Sequence, residues 1–112
     1  MNKIINILGI AGSLRKGSYN RALLQNAAEL VPEDARLEIF DLDGIPAYNQ
    51  DLDIAVPYKV VQFKSKIKAA DALLIVTPEY NYSVPGLLKN AIDWASRPPG
   101  DNAFPGKTAA II

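Results

Sequence analysis

The chain has 112 residues, 49% hydrophobic and 21% charged, which is material for one globular domain with a core of its own. Its 12 lysines and arginines balance 12 aspartates and glutamates. No net charge therefore directs it to nucleic acid or to an anionic membrane, and any anion site must be local. Cysteine and histidine are absent. That excludes disulfides, thiolate nucleophiles, histidine bases and His/Cys metal centres, so redox work would require a bound cofactor.

In chain order, Met1-Asn2-Lys3 followed by an apolar run has the outline of a secretion signal. The run is short, is broken by Asn6 and passes into Arg15 and Lys16, so a buried strand explains it better. No run reaches the length of a transmembrane helix, and the expectation is a soluble, cytoplasmic protein with neither membrane nor nucleic acid as partner. Ile4 to Ile10 is nearly all apolar and rich in β-branched residues, as in a central parallel strand covered on both faces. A helix is expected from about Tyr19 to Leu30, with Leu23, Ala27 and Leu30 inward and Pro32 after its end. Arg36 to Phe40 alternates as a strand covered on one face. Asp41 to Tyr58, with Gly44, Pro46, Pro57 and several Asp and Asn, reads as a long surface loop of the kind that is often functional.

A second helix is expected over about Pro57 to Ala70, with Val60, Phe63 and Ile67 inward and Lys59, Lys64, Lys66 and Lys68 on a solvated surface. Ala72 to Thr77 is another apolar strand. Pro85 to Ser96 follows as a helix with Leu88, Ala91, Ile92 and Ala95 inward, stopped by Arg97-Pro98-Pro99-Gly100. Lys107 to Ile112 begins a fourth apolar strand. Alternating strands and helices call for a doubly wound α/β fold, a parallel sheet with helices on both faces. Ligands of such sheets bind beyond the carboxyl ends of the strands, where the strand order reverses.

Two loops follow apolar strands and belong at that edge. The first, Gly12-Ser13-Leu14-Arg15-Lys16-Gly17-Ser18-Tyr19-Asn20, leads into a helix. Unpaired N–H groups and the helix dipole favour an anion at such a junction. Gly12 and Gly17 have Walker A spacing, but Ser18-Tyr19 stands where Lys-Ser/Thr would be required, and Gly9 and Gly12 do not make a dinucleotide fingerprint. Ser13, Ser18 and Asn20 offer donors and Arg15 a fork that grips two phosphate oxygens, each bond to a charged group contributing about 1.5–3 kcal/mol. A plain turn with Ser18 or Asn20 as N-cap accounts for the small residues but not for Arg15 among them.

The second loop, Thr77-Pro78-Glu79-Tyr80-Asn81-Tyr82-Ser83-Val84-Pro85-Gly86, holds tyrosine faces and amide edges suited to a flat heterocycle. A plain connection, with Ser83 as cap and Pro85 in the first helical turn, is the simpler alternative. Glu79 alone is weak evidence for a general acid or base.

These two loops, the second continued through Leu87-Leu88-Lys89-Asn90-Ala91-Ile92-Asp93-Trp94, closely resemble the NADPH-dependent FMN reductase family, in its chromate and quinone reductase branch related to azoreductases. Ile45-Pro46-Ala47-Tyr48-Asn49-Gln50-Asp51 resembles the family's connecting loop, and the likeness spans the whole chain. The resemblance implies a single flavodoxin-like domain over residues 1–112, with strand order 2-1-3-4-5. It implies that Ser13, Arg15, Ser18, Tyr19 and Asn20 hold the FMN phosphate and that Pro78, Glu79, Tyr80 and Asn81 line the ring. It further implies hydride transfer from NADPH or NADH to FMN, small-molecule acceptors such as quinones, chromate or azo compounds, and a homodimer or homotetramer. No protein nucleophile and no metal is assigned. The family continues past the fourth strand, so the expectation is that the C-terminal part of the domain is missing. Two other readings are a flavodoxin-type electron carrier, which a neutral chain and Arg15 disfavour, and a fragment without flavin.

Overall fold

In the computed structural model, which describes residues 3–12, 19–78 and 83–112, four parallel strands carry three helices. The elements are β1 (Ile5–Ala11), α1 (Tyr19–Leu30), β2 (Ala35–Phe40), a 3-10 helix (Gln50–Ile54), α2 (Tyr58–Ala69), β3 (Ala72–Val76), α3 (Gly86–Ala95) and β4 (Thr108–Ile111). The sheet order is β2-β1-β3-β4, the first four places of the expected arrangement. In register, Ile5 faces Ala35, Ile7 faces Ala72 and Ala72 faces Thr108.

Strand alternation divides the core. Leu8, Ile10, Leu73 and Ile75 pack with Phe63 and Ile67 of α2 and Leu88, Ala91 and Ala95 of α3. Ala11 and Val76, with Leu74 beside them, face Leu24 of α1. Helices therefore cover both faces, as period-2 strands with two apolar faces demand. The first helix has its expected bounds, whereas the second and third lose their flanking residues to caps. Pro57 and Pro85 stand at the N-cap positions and Ala70 and Ser96 at the C-caps. Ser83 is thus not the cap of α3, and Pro85 lies one step ahead of the first turn.

Four expectations are corrected. The buried face of α1 runs through Leu24, whereas Leu23 is 41% and Leu30 82% exposed. The cause lies in β1: a Cβ on Gly9 would come to 3.0 Å from Leu24 Cδ2, so the missing side chain admits Leu24 to the sheet. Lys64 is not on a solvated surface but buried, its ammonium donating to Asp101 Oδ2 at 2.6 Å and to the Arg97 carbonyl at 2.7 Å. A buried ammonium requires such partners. The loop from Asp41 to Tyr58 contains the 3-10 helix, where Asn49 Oδ1 accepts from the N–H of Asp51. Finally, the run from Ile4 to Ile10 is covered only from Leu8 onward, Ile4 and Ile5 being exposed at its start; β4 too is exposed along its length, bordering only β3 at the edge of the described sheet.

At the amino edge, Asp71 precedes β3 and accepts from the Asn6 N–H and from Lys3, both at 2.9 Å. The backbone bond first, and Lys3 second, hold its carboxyl below the usual carboxylate range. Among the described residues no helix is long and apolar enough to cross a membrane.

Candidate functional site

β1 and β3 are hydrogen-bonded neighbours, and the strand order reverses between them, since β2 follows β1 in sequence but lies on its other side. A crevice is expected at their carboxyl ends. Both sequence-predicted loops leave the sheet there. The ladder continues into their stems: Gly12 N–H donates to the Val76 carbonyl at 2.8 Å, and Thr77 N–H donates to the Ile112 carbonyl at 3.0 Å. The stems also touch. A Cβ built on Gly12 would lie 2.6 Å from Thr77 Oγ1 and 2.9 Å from its Cβ. Only glycine fits at the head of the first loop.

Of the residues expected to hold the phosphate, Tyr19 and Asn20 are described. They open α1, with Tyr19 91% exposed and Asn20 half-buried. Ser13, Arg15 and Ser18 lie outside the described residues. Of the residues expected to line the ring, Pro78 is described and partly buried at the stem of the second loop, while Glu79, Tyr80 and Asn81 lie outside. The placed members of both sets stand at the same sheet edge, one set opening α1 and the other following β3.

A helix start at this edge suits an anion. The first turn of α1 holds no acidic residue. It does hold Arg21, whose guanidinium donates to Asp41 Oδ1 at 3.1 Å, just past the end of β2. Asp41 also accepts from the Asp43 N–H at 2.9 Å, which fixes the carboxylate beside Arg21. Concavity alone would mislead. A cavity of about 230 Å³ lies between Asn6, Arg36, Glu38, Lys66 and Ala70, near the start of β1 and away from both loops.

A second constellation went unassigned in the sequence. The loop after β2 is clamped to α3. The Pro46 carbonyl accepts from Asn90 Nδ2 at 2.9 Å and from Trp94 Nε1 at 2.8 Å, and the Tyr48 N–H donates to Asn90 Oδ1 at 2.7 Å. Asn90 thus pairs with loop backbone through both ends of its amide, much as a neighbouring strand would. The Tyr48 ring meets buried Trp94 edge-on at 5.0 Å, and its hydroxyl accepts from Arg97 Nε at 3.0 Å. The signal was present: Asn90 and Trp94 are four apart on one helix face, and both belong to motif stretches that carried the resemblance.

Comparison with known proteins agrees with this arrangement. The family described as NADPH-dependent FMN reductase matches residues 5–112. An NAD(P)H-dependent FMN reductase of Pseudomonas aeruginosa is 57% identical over all of this chain and 60% of its own length. A 2-hydroxy-1,4-benzoquinone reductase of a Burkholderia species is 49% identical over 96% of this chain and 59% of its own. The solved structure of a flavoenzyme NAD(P)H:(acceptor) oxidoreductase from Paracoccus denitrificans superposes with a TM-score of 0.91 at 41% identity, over 97% of this chain and 60% of that one. The chain thus spans about three-fifths of the length of these relatives.

Proposed function

This chain belongs to the NADPH-dependent FMN reductase family, and on that premise we propose that it is the flavin-binding part of an oxidoreductase that takes hydride from NADPH or NADH and delivers electrons to quinones. The observation that carries the reading is the contact of Gly12 with Thr77 at the order reversal, which sets the stems of the two loops side by side. The residues fit FMN. An α1 first turn without acidic residues, opening at the end of the first loop, suits its phosphate. When bound, FMN supplies the hydride and electron chemistry, which a chain without cysteine or histidine cannot supply itself.

In this reading Ser13, Arg15, Ser18, Tyr19 and Asn20 hold the phosphate, Arg15 neutralising its charge through a two-pronged contact. Pro78, Glu79, Tyr80 and Asn81 line the ring, and their backbone N–H groups, proline aside, orient its polar edge. The loops would have to leave nicotinamide, and then the acceptor, access to the ring. Chromate and azo compounds extend the acceptor range, and the work is done in the cytoplasm, where reduced nicotinamide is supplied. The molecule acts as a homodimer or homotetramer. Supporting that, three apolar residues are exposed over residues 54–61, Ile54 at the end of the 3-10 helix (95%) and Tyr58 and Val61, three apart on α2 (75% and 48%).

The test is direct. The purified protein is examined for flavin absorbance, then mixed with NADPH without oxygen. A yellow protein that bleaches rapidly is the expected result. A yellow protein that stays oxidised is an electron carrier, and a colourless one that takes up no added FMN ends the reading altogether.

A further inference from the structure

We infer that Thr77 is a positioning residue that couples the two cofactor loops, fixing the span between the phosphate end and the ring end of the ligand; the inference rests on the FMN reading above. One loop leaves the sheet at Gly12 and the other at Thr77, and these two residues are in contact. The Thr77 side chain fills the volume that a side chain at position 12 would need, with Oγ1 at 2.6 Å, Cβ at 2.9 Å and Cα at 3.2 Å from the ideal Cβ position. The first stem is held from behind by the bond from Gly12 N–H to Val76, and the second by the bond from Thr77 N–H to Ile112. Neither stem can slide along the strands without breaking a ladder bond. Across the strands, the Gly12–Val76 bond sets their separation, and the Thr77 side chain fills the space beside Gly12.

The hydroxyl adds direction. Thr77 Oγ1 donates its one proton to the Pro78 carbonyl at 2.9 Å. That bond locks the side chain in one rotamer and sets the path of the chain at the entrance to the ring loop. Pro78 has no N–H of its own to anchor that turn, so the threonine hydroxyl is the group that ties the stem together. A single residue therefore packs on the first loop and bonds the second.

A ligand that engages both loops gains from a preset spacing, because binding one end presents the other at high effective concentration. FMN engages both, whereas riboflavin has the ring and polyol but no phosphate. Loosening the stem must therefore cost FMN more than riboflavin. A merely structural threonine would lower the affinity for both alike, or only the melting temperature.

The experiment measures dissociation constants for FMN and for riboflavin, by quenching of flavin fluorescence, in the wild-type protein and in Thr77→Val, Thr77→Ser and Gly12→Ala. Thr77→Val keeps the shape and removes the hydroxyl; it is expected to weaken FMN about tenfold, the scale of one net hydrogen bond, and riboflavin by less than about threefold. Thr77→Ser restores the bond to Pro78 and should bring the FMN-to-riboflavin ratio back to within about twofold of wild type. Gly12→Ala pushes the stems apart and should narrow the ratio as Thr77→Val does. The inference is overturned if the ratio is unchanged in both Thr77→Val and Gly12→Ala, or if serine fails to restore it. Should Thr77→Val not fold, the Gly12→Ala ratio decides. A wild-type protein that binds no FMN defeats the functional reading itself, whereas wild-type binding with an unchanged ratio in the variants defeats only the role of Thr77.

Discussion

On one face of the sheet, α2 and α3 bury Phe63, Ile67, Leu88, Ala91 and Trp94 and draw the loop after β2 down onto α3 through Asn90 and Tyr48. On the other face, Leu24 is the one buried residue of α1, resting on Gly9 and packed with Ala11 and Val76. The first region is thick and cross-bonded, and the second loop enters it at the start of α3. The second is thin and leads straight into the anion loop. Burial is thus divided unequally between the two faces of the same sheet, with the larger core on the α2–α3 side.

The largest expected effect breaks the thick side. Trp94→Ala removes a fully buried indole and one of the two side-chain donors to the Pro46 carbonyl, and should cost about 3–5 kcal/mol in denaturant unfolding. Leu24→Ala on the thin side should cost less, about 2–3 kcal/mol, because a smaller cluster surrounds the space it leaves. Equal losses would dissolve the distinction between the two faces. Asn90→Ala sharpens it from within. The Tyr48 N–H then loses its partner and Pro46 keeps only Trp94, at an expected cost of about 1–3 kcal/mol. Proteolysis should then begin in the loop around Gln50–Ile54 rather than in α1.

The smallest effect is electrostatic. Hydrogen bonds from Lys64 first and Lys68 second lower the Asp101 carboxyl to about 2. A carboxylate whose folded pKa is depressed stabilises the fold fully above its unfolded value, near 3.8, and the contribution fades as pH falls towards 2. Asp101→Asn should therefore melt below wild type at neutral pH, and the gap should close between about pH 4 and pH 2. A gap that stays constant across that window would show that the Lys64–Asp101 pair contributes by packing rather than by charge.

The readability of the chain followed the same division. The strands and helices were legible because their signals are local: β-branched apolar runs such as Ile4 to Ile10, buried from Leu8 onward, and helical spacing such as Val60, Phe63 and Ile67, all three buried as expected. What escaped is set by partners far away in sequence. Lys64 looks like any surface lysine until Asp101, 37 positions on, is folded against it. Leu24 displaces Leu23 from the interface because of a missing side chain on β1, which no helical periodicity records. Asn90 and Trp94 stand in a motif of the sequence, but their work, gripping backbone 42 and 48 positions earlier, belongs to the tertiary structure. Of the candidate site, the sequence order of strand, loop and helix placed both loops at one edge, whereas the touch between Gly12 and Thr77 needed the register of β1 on β3.

The central claim is that the loop after β1 holds the phosphate of FMN while the opposite side holds the fold. Titrating FMN into Arg15→Ala, with melting temperature recorded in parallel, tests it most directly. The account predicts an FMN dissociation constant raised about 10- to 100-fold, the loss of a two-pronged contact to a charged group, with a melting temperature of the flavin-free protein that does not change. An FMN affinity equal to wild type would contradict it.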